Sequence, residues 1–252
     1  MNELQVHGYL VWAMFVLAAA TFVALFFVTA PYGRHVRAGW GPLIPARLGW
    51  VVMESPAVLL FIGIYAAGDN AQSTAPIALL ALWQFHYIGR TFIYPFRLRE
   101  TARKMPLLIV AMAFLFNCLN AYINARWISH FGNYSDDWLG QAYFLGGTAL
   151  FVVGWLINQH ADIVLIRLRK PHESGYSIPR GGLYRWISCP NYLGEILTWC
   201  GWAIACWSLA GLAFAVFTTA NLLPRALAKH RWYREEFDDY PASRRALLPF
   251  LL

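Results

Sequence analysis

The sequence predicts an all-α fold: a multi-pass membrane bundle of seven transmembrane helices, with the N-terminus outside and the C-terminus in the cytoplasm. Three observations predict it. Of the 252 residues, 59% are hydrophobic and 13% charged, about half the charge of an ordinary soluble domain. The apolar residues fall into seven runs, each near the ~20 residues that cross a bilayer. The basic residues gather in alternate connections, as they do in the cytoplasmic loops of membrane proteins. The whole chain, 1–252, reads as one domain, since this length leaves no room for a separate soluble one.

The runs are taken in order. The first, 8–30, lacks a basic segment before it and is long enough to remain as a span rather than be cleaved. A loop over 31–47 carries Arg34, Arg37 and Arg47. The second run, 48–67, holds Glu54 and Pro56; the proline removes a helical donor and frees a carbonyl near Glu54. The third, 76–95, holds Tyr87, Arg90 and Tyr94 at i, i+3 and i+7, on one helical face. Loop 96–105 carries Arg97, Arg99, Arg103 and Lys104. The fourth run is 106–124. The fifth, 143–166, holds Asn158 and Asp162 four residues apart, with Arg169 seven further on. Loop 167–190 adds Arg167, Arg169, Lys170, Arg180 and Arg185. The sixth run, 191–207, repeats the four-residue spacing with Asn191 and Glu195, and the seventh is 209–226. The tail, 227–252, is basic and ends in LLPFLL, too short to span and expected to pack on the bundle or lie at the interface. Only Arg90 and Arg126 of the 20 Lys and Arg fall outside the basic loops, the tail and its approach at Arg225. That alternation requires an odd number of spans.

The net charge of +7 is thereby explained by topology, and no nucleic-acid partner is expected. The cysteines Cys118, Cys189, Cys200 and Cys206 form no CxxC pair, so neither a disulfide nor a metal site is expected. There is no GxGxxG and no GxxxxGK[ST], so a Rossmann or P-loop nucleotide site is not supported. Nothing in the sequence specifies an oligomeric state.

Polar groups at membrane depth are costly and mark function. Singly, each here has a structural reading: an interhelical hydrogen bond, an ion pair of Arg90 with Glu54 or Glu195, a belt of aromatics. Jointly, Glu54, Tyr87, Arg90, Asn158, Asp162, Asn191 and Glu195 lie in the cytoplasmic half of four runs. A bundle that turns them inward encloses a polar pocket open to the basic face. Such a pocket suits a large anionic ligand with its phosphates at the basic loops.

His86-Tyr87-Ile88-Gly89-Arg90-Thr91-Phe92 resembles the HY..RTF segment of the steroid 5α-reductase family. Arg167-Leu168-Arg169-Lys170-Pro171, Tyr176-Ser177-Ile178-Pro179 and Gly181-Gly182-Leu183 resemble its LRKP…Y.IP.GGL block, and Asn191 to Glu195 its N[FY]LGE. His230 to Tyr233, Asp239-Tyr240-Pro241 and Arg245 to Phe250 resemble its C-terminal block. The likeness covers about 45–252. It implies a seven-helix enzyme that uses NADPH to reduce the C4–C5 double bond of 3-oxo-Δ4 steroids, a lipophilic enone entering from the membrane lipids. By position, Glu54 and Tyr87 resemble the catalytic pair that binds the 3-keto oxygen, with Met53 beside them at the substrate. Asn158, Asp162, Arg169, Tyr176, Asn191, Glu195, Arg225, Lys229 and Tyr233 resemble cofactor positions, joined by Arg90, Tyr94, Arg99 and Arg103. The chain departs from the pattern at Met53, where the family usually has Gln, and at Lys229, where it tends to have His.

Two other readings compete. Gly182-x-Tyr184 and Pro190-x-Tyr192-x-Gly194 are similar to a pattern of isoprenylcysteine-type membrane methyltransferases using S-adenosylmethionine, although Ser188-Cys189-Pro190 replaces their Arg-His-Pro. A seven-helix receptor or transporter without chemistry would share the topology but not explain Glu54 beside the Tyr87–Arg90 face. Compact loops and the lack of an ER-retention tail favour a bacterial inner membrane, with the endoplasmic reticulum expected if the chain is eukaryotic.

Overall fold

The computed structural model describes residues 1–28, 39–98, 104–168 and 176–252. Helix α1 covers Glu3–Phe27. Asn2 caps it in a reciprocal box: its side chain accepts from the Gln5 amide at 2.9 Å, and the Gln5 side chain accepts from the Asn2 amide at 3.0 Å. Strand β1, Leu43–Pro45, leads into α2, Ala46–Ala66. Helix α3, Thr74–Ile88, continues through a π-helical segment, Gly89–Ile93, into the short α4, Tyr94–Arg97. Strand β2, Lys104–Pro106, leads into α5, Leu107–Arg126, which closes on a second π segment, Trp127–Phe131. Helix α6 is Ala142–Leu168, α7 is Pro190–Cys206 and α8 is Leu209–Glu236.

A helical element thus occupies each of the seven apolar runs. Among the described residues, five helices are long and apolar enough to cross a membrane: α1, α2, α5 with its π segment, α6 and α8. Helices α3 and α7, at 15 and 17 residues, are shorter.

Two expectations need correction. The chain is mostly helical rather than purely all-α, because β1 and β2 pair as an antiparallel ribbon, with Ile44 opposite Met105. Each of these residues precedes a proline, which holds it extended; Pro45 and Pro106 then cap α2 and α5. The tail expected from 227 instead remains helical to Glu236, where Tyr233 turns inward and stacks on Tyr240 at 5.3 Å. Beyond it, the final segment packs on the bundle. The Ser188 and Cys189 amides donate to the carbonyls of Arg245 and Ala246 at 2.8 and 3.1 Å, and Leu247 is buried with Ile187, Leu193 and Ala226.

The core is built around Trp83 of α3. It stacks on Phe61 of α2 at 4.4 Å and meets Trp199 and Trp202 of α7 at 5.2 and 5.1 Å. Its indole N–H, which must find an acceptor when buried, donates to the Ala57 carbonyl at 2.8 Å. This aromatic plug lies one helical turn from Tyr87.

Candidate active site

The first wall of the site is the seam between α6 and α7. Glycines seven apart on α6, Gly147 and Gly154, face Gly201 and Gly194 on α7. A Cβ on Gly154 would stand 2.7 Å from the Gly194 carbonyl oxygen, and one on Gly194 2.6 Å from that of Gly154. The two backbones therefore touch, as small residues permit in membrane helices. That contact brings the next polar turn of each helix into register. Asn158 Nδ2 donates to the Asn191 carbonyl at 3.0 Å and to Glu195 Oε2 at 3.2 Å, and Asn191 Nδ2 donates to Asp162 Oδ1 at 3.4 Å.

The second wall comes from α2, α3 and the π segment. In α2, Pro56 has no N–H for the Val52 carbonyl. The Ser55 hydroxyl donates to that carbonyl instead, at 2.9 Å, while Asn117 Nδ2 of α5 donates to the Met53 carbonyl at 2.7 Å. Glu54 is thus presented from a helix turn whose backbone is tied by side chains. Further along, Pro95 denies a donor to the Thr91 carbonyl, and the chain widens before it: the Tyr94 amide donates five residues back, to Gly89. Arg90 sits in this widened turn. Its carbonyl accepts from Trp50 Nε1 at 3.0 Å, and its guanidinium lies over the Trp50 ring at 5.1 Å.

Arg90 joins the walls. Its Nε is 3.6 Å from Glu54 Oε1 and its terminal nitrogen 3.9 Å from Glu195 Oε2, so the two pairings expected as alternatives occur together. The two carboxylates differ in their surroundings. Glu195 accepts from Trp199 Nε1 at 3.0 Å and from Asn158, with His86 Nε2 at 3.4 Å. Glu54 faces the Asn117 side chain and the Arg90 guanidinium, whose Nε is beyond hydrogen-bonding distance. Tyr87, 3% exposed, has its ring against Trp83 and Trp199 at 4.9 and 5.4 Å and feels both carboxylates. A cleft of about 10 Å³, room for about one water, is lined by His86, Arg90, Tyr94, Asn158, Gln159 and Asp162.

A third group lies on α8. Arg225 stands over the Tyr192 ring at 5.4 Å, and Lys229 lies near the rings of Tyr192 and Tyr233 at 5.8 and 6.0 Å. Tyr176 meets Trp232 at 5.2 Å. Met53 packs with Met105 and Val110. Arg99, Arg103 and Arg169 lie outside the described residues.

Sequence reasoning brought Glu54, Tyr87, Arg90, Asn158, Asp162, Asn191 and Glu195 to one depth, and these are the residues that the structure gathers. It passed over Trp50, Gln159, the glycine pairs and three asparagines of α5, Asn117, Asn120 and Asn124. Those asparagines repeat the i, i+3, i+7 spacing used to single out Tyr87, and the glycines repeat at seven on consecutive helices. Both signals were available.

The residues fit a nicotinamide cofactor. Among the described residues, Asn191 Oδ1 is buried without a hydrogen-bond partner, an acceptor of the kind a carboxamide needs, beside amides and carboxylates suited to ribose hydroxyls. Arg225 and Lys229 of α8 lie over the ring of Tyr192, the chain neighbour of Asn191. Among the described residues, no cluster of three His, Cys, Asp or Glu is placed to hold a metal.

Comparison with known proteins agrees with this chemistry. The family described as 3-oxo-5-alpha-steroid 4-dehydrogenase matches residues 103–252. Steroid 5-alpha-reductase DET2 of Gossypium hirsutum is 45% identical over 96% of this chain and 96% of its own. The 3-oxo-5-alpha-steroid 4-dehydrogenase 1 of Bos taurus is 43% identical over 94% and 93%, and that of Homo sapiens 44% over 87% and 85%. These relatives are plant and mammalian, so the expectation of a bacterial inner membrane finds no support in them. The resemblance first carried by short motifs therefore extends along nearly the whole chain, and the chain belongs to the steroid 5-alpha-reductase (3-oxo-5-alpha-steroid 4-dehydrogenase) family of oxidoreductases.

Proposed function

We propose that this chain reduces the C4–C5 double bond of 3-oxo-Δ4 steroids with NADPH, using Glu54 and Tyr87 as the catalytic pair. The observation that carries the proposal is the position of Glu54 and Tyr87 on the apolar side of Arg90, with the amide-and-carboxylate wall of α6 and α7 on the other.

NADPH, when bound, supplies the hydride that the enone accepts at its β-carbon. Negative charge then develops on the carbonyl oxygen as an enolate, which takes up one proton at its α-carbon, supplied through water, to give the saturated ketone. The Tyr87 hydroxyl and the protonated Glu54 carboxyl donate hydrogen bonds to that oxygen, and donors fixed in a dry site stabilise such charge far better than water does. A neutral carboxylic acid beside a tyrosine is the device that ketosteroid isomerase also uses. Glu195, ringed by donors, serves instead as an anchor for Arg90 and Asn158. Asn158, Asp162, Asn191 and Glu195 orient the nicotinamide and its ribose. Arg225, Lys229, Tyr233, Tyr176 and Tyr94 hold the rest of the cofactor with Arg169, Arg99 and Arg103, and cations of this kind suit its phosphates. Met53 borders the substrate.

We read the chain as one domain with seven crossings, the N-terminus outside and the C-terminus in the cytoplasm. Helix α3 joined to its π segment and α4, and α7 between its caps, make the two shorter crossings. The charge alternation supports this orientation. The relatives favour the endoplasmic reticulum as the membrane, and the steroid enters from the lipid.

The test is purified protein with NADPH and testosterone, the product identified by mass. The 5α-reduced steroid is expected. Glu54→Leu and Tyr87→Phe should each lower kcat by roughly 10²–10³, the loss seen on deleting one oxyanion donor, with expression unchanged. Full activity in either variant would remove that residue from the pair.

A further inference from the structure

We propose that Asn117 is a positioning residue for Glu54, holding the peptide plane from which the carboxyl side chain is hung. This rests on the role of Glu54 proposed above.

Helices α2 and α5 run side by side in one register. A Cβ on Gly49 of α2 would stand 3.0 Å from Val110 Cγ2 of α5, and one on Gly68, just past α2, would meet the Ser129 carbonyl, just past α5. Gly49 and Gly68 are nineteen residues apart, and so are Val110 and Ser129. That register sets Asn117 level with Pro56. A helical side chain leans toward the N-terminus of its own helix, so from that level Asn117 reaches back along α2. Its Nδ2 donates to the Met53 carbonyl at 2.7 Å. A carbonyl can only accept, which fixes the nitrogen of this amide on the α2 side and removes the usual ambiguity of a flip.

The Met53 carbonyl belongs to the same planar peptide unit as the Glu54 amide. Pinning it orients the Glu54 Cα, and with it the direction in which the carboxyl leaves the helix. The tie falls where α2 is weakest. Pro56 offers no N–H to the Val52 carbonyl, and the Ser55 hydroxyl that replaces it at 2.9 Å belongs to the same turn and moves with it. Among the described residues, Asn117 makes the only hydrogen bond to the backbone of this turn from a neighbouring helix. Arg90 cannot take its place, since its Nε stands 3.6 Å from the carboxyl. Asn117 is 5% exposed, so water does not compete for the carbonyl. Misplacing a catalytic group by about 1 Å costs on the order of 10²-fold in rate, so a single pin on this peptide carries kinetic weight. Among the described residues, no hydrogen bond joins Asn117 to the amide-and-carboxylate wall, so it acts through Glu54 and not through the cofactor positions.

The experiment is a set of double-mutant cycles on the full chain in detergent, with NADPH and testosterone. Asn117→Leu keeps the volume and removes the donor; Asn117→Ala replaces it if the leucine variant does not fold. Folding is read from the melting temperature. In the parental background, kcat should fall about tenfold, the size of one ordinary hydrogen bond, while KM for NADPH stays unchanged. In the Tyr87→Phe background it should again fall about tenfold, because Glu54 is still there to be misplaced. In the Glu54→Leu background the same substitution should change kcat less than twofold, because the carboxyl it positions is gone. A merely structural asparagine would lower kcat by equal factors in all three backgrounds. Equal factors, or an unchanged kcat in the parental background, would overturn the positioning role. Full activity in Glu54→Leu alone would instead overturn the role of Glu54, a separate result.

Discussion

On one side of the site, α6 and α7 meet backbone to backbone, glycine against glycine, and nothing between them can be repacked. On the other, α2 and α3 meet through large rings: Phe61 on Trp83, Trp83 on Tyr87, and Trp50 between Arg90 and Tyr94. The first contact fixes two helices at one separation and one register, so Asn158, Asn191, Asp162 and Glu195 arrive already paired. The second fixes a shape through side chains that have rotamers to spend and volumes that can be exchanged. A cofactor common to many enzymes suits the inflexible wall, and a substrate of variable outline suits the adjustable one. The contrast teaches that rigidity and recognition are divided between seams rather than spread over the bundle.

That contrast can be broken at its stiff side first. Gly154→Leu places a side chain where the α7 backbone already is; overpacking costs ~1–3 kcal/mol and occasionally more, and here no side chain can give way. Folded protein in detergent should be lost or its melting temperature should fall steeply, and NADPH protection against unfolding should vanish. Folding at the parental temperature would show that the seam is not close-packed. Next, Asn158→Leu removes one donor from Glu195 and another from the Asn191 carbonyl. KM for NADPH should rise by roughly 10–100-fold, about the ~1–3 kcal/mol cost of one buried acceptor left unmet, with the KM for steroid little changed. Equal rises in both constants would mean the two walls are not separate.

On the adjustable side, Phe61→Leu should cost about 1–3 kcal/mol of stability, less than truncation to Ala, and alter the preference among steroids more than it alters NADPH binding. Smallest is Arg126→Ala, which cuts the pair with Glu3 at 2.6 Å at the far end of α5. Exposed ion pairs contribute under about 1 kcal/mol, so kcat should remain at the parental value in a steady-state assay.

The same contrast explains what could be read from the sequence. Helical rods were legible because twenty apolar residues in a row have few other uses, and their ends were less so: α8 runs on to Glu236, and Tyr233 in its last turn stacks on Tyr240, a ring beyond the helix end. The β1–β2 ribbon was not legible, being three residues on each side held extended by the prolines that follow. Charged and amide groups at helical spacing exposed the polar wall. What stayed hidden was made of residues that look inert in isolation: glycines whose meaning is the helix opposite, and asparagines of α5 whose meaning is Trp202 and the Met53 carbonyl.

The widened turn at Gly89–Ile93 has a consequence for the length of the chain itself. A π turn accommodates one residue more than the α-helix it interrupts, and one residue is about 100° of rotation at 3.6 residues per turn. Every side chain after it is therefore aimed as though a residue had been inserted into α3. The contact of Arg97 with Gln159 Oε1 at 3.2 Å depends on that offset. Deleting a single residue between Gly89 and Ile93 would let the helix close into an ordinary one and swing Tyr94 and Arg97 away from α6, disarming the rim of the site while leaving its composition almost untouched.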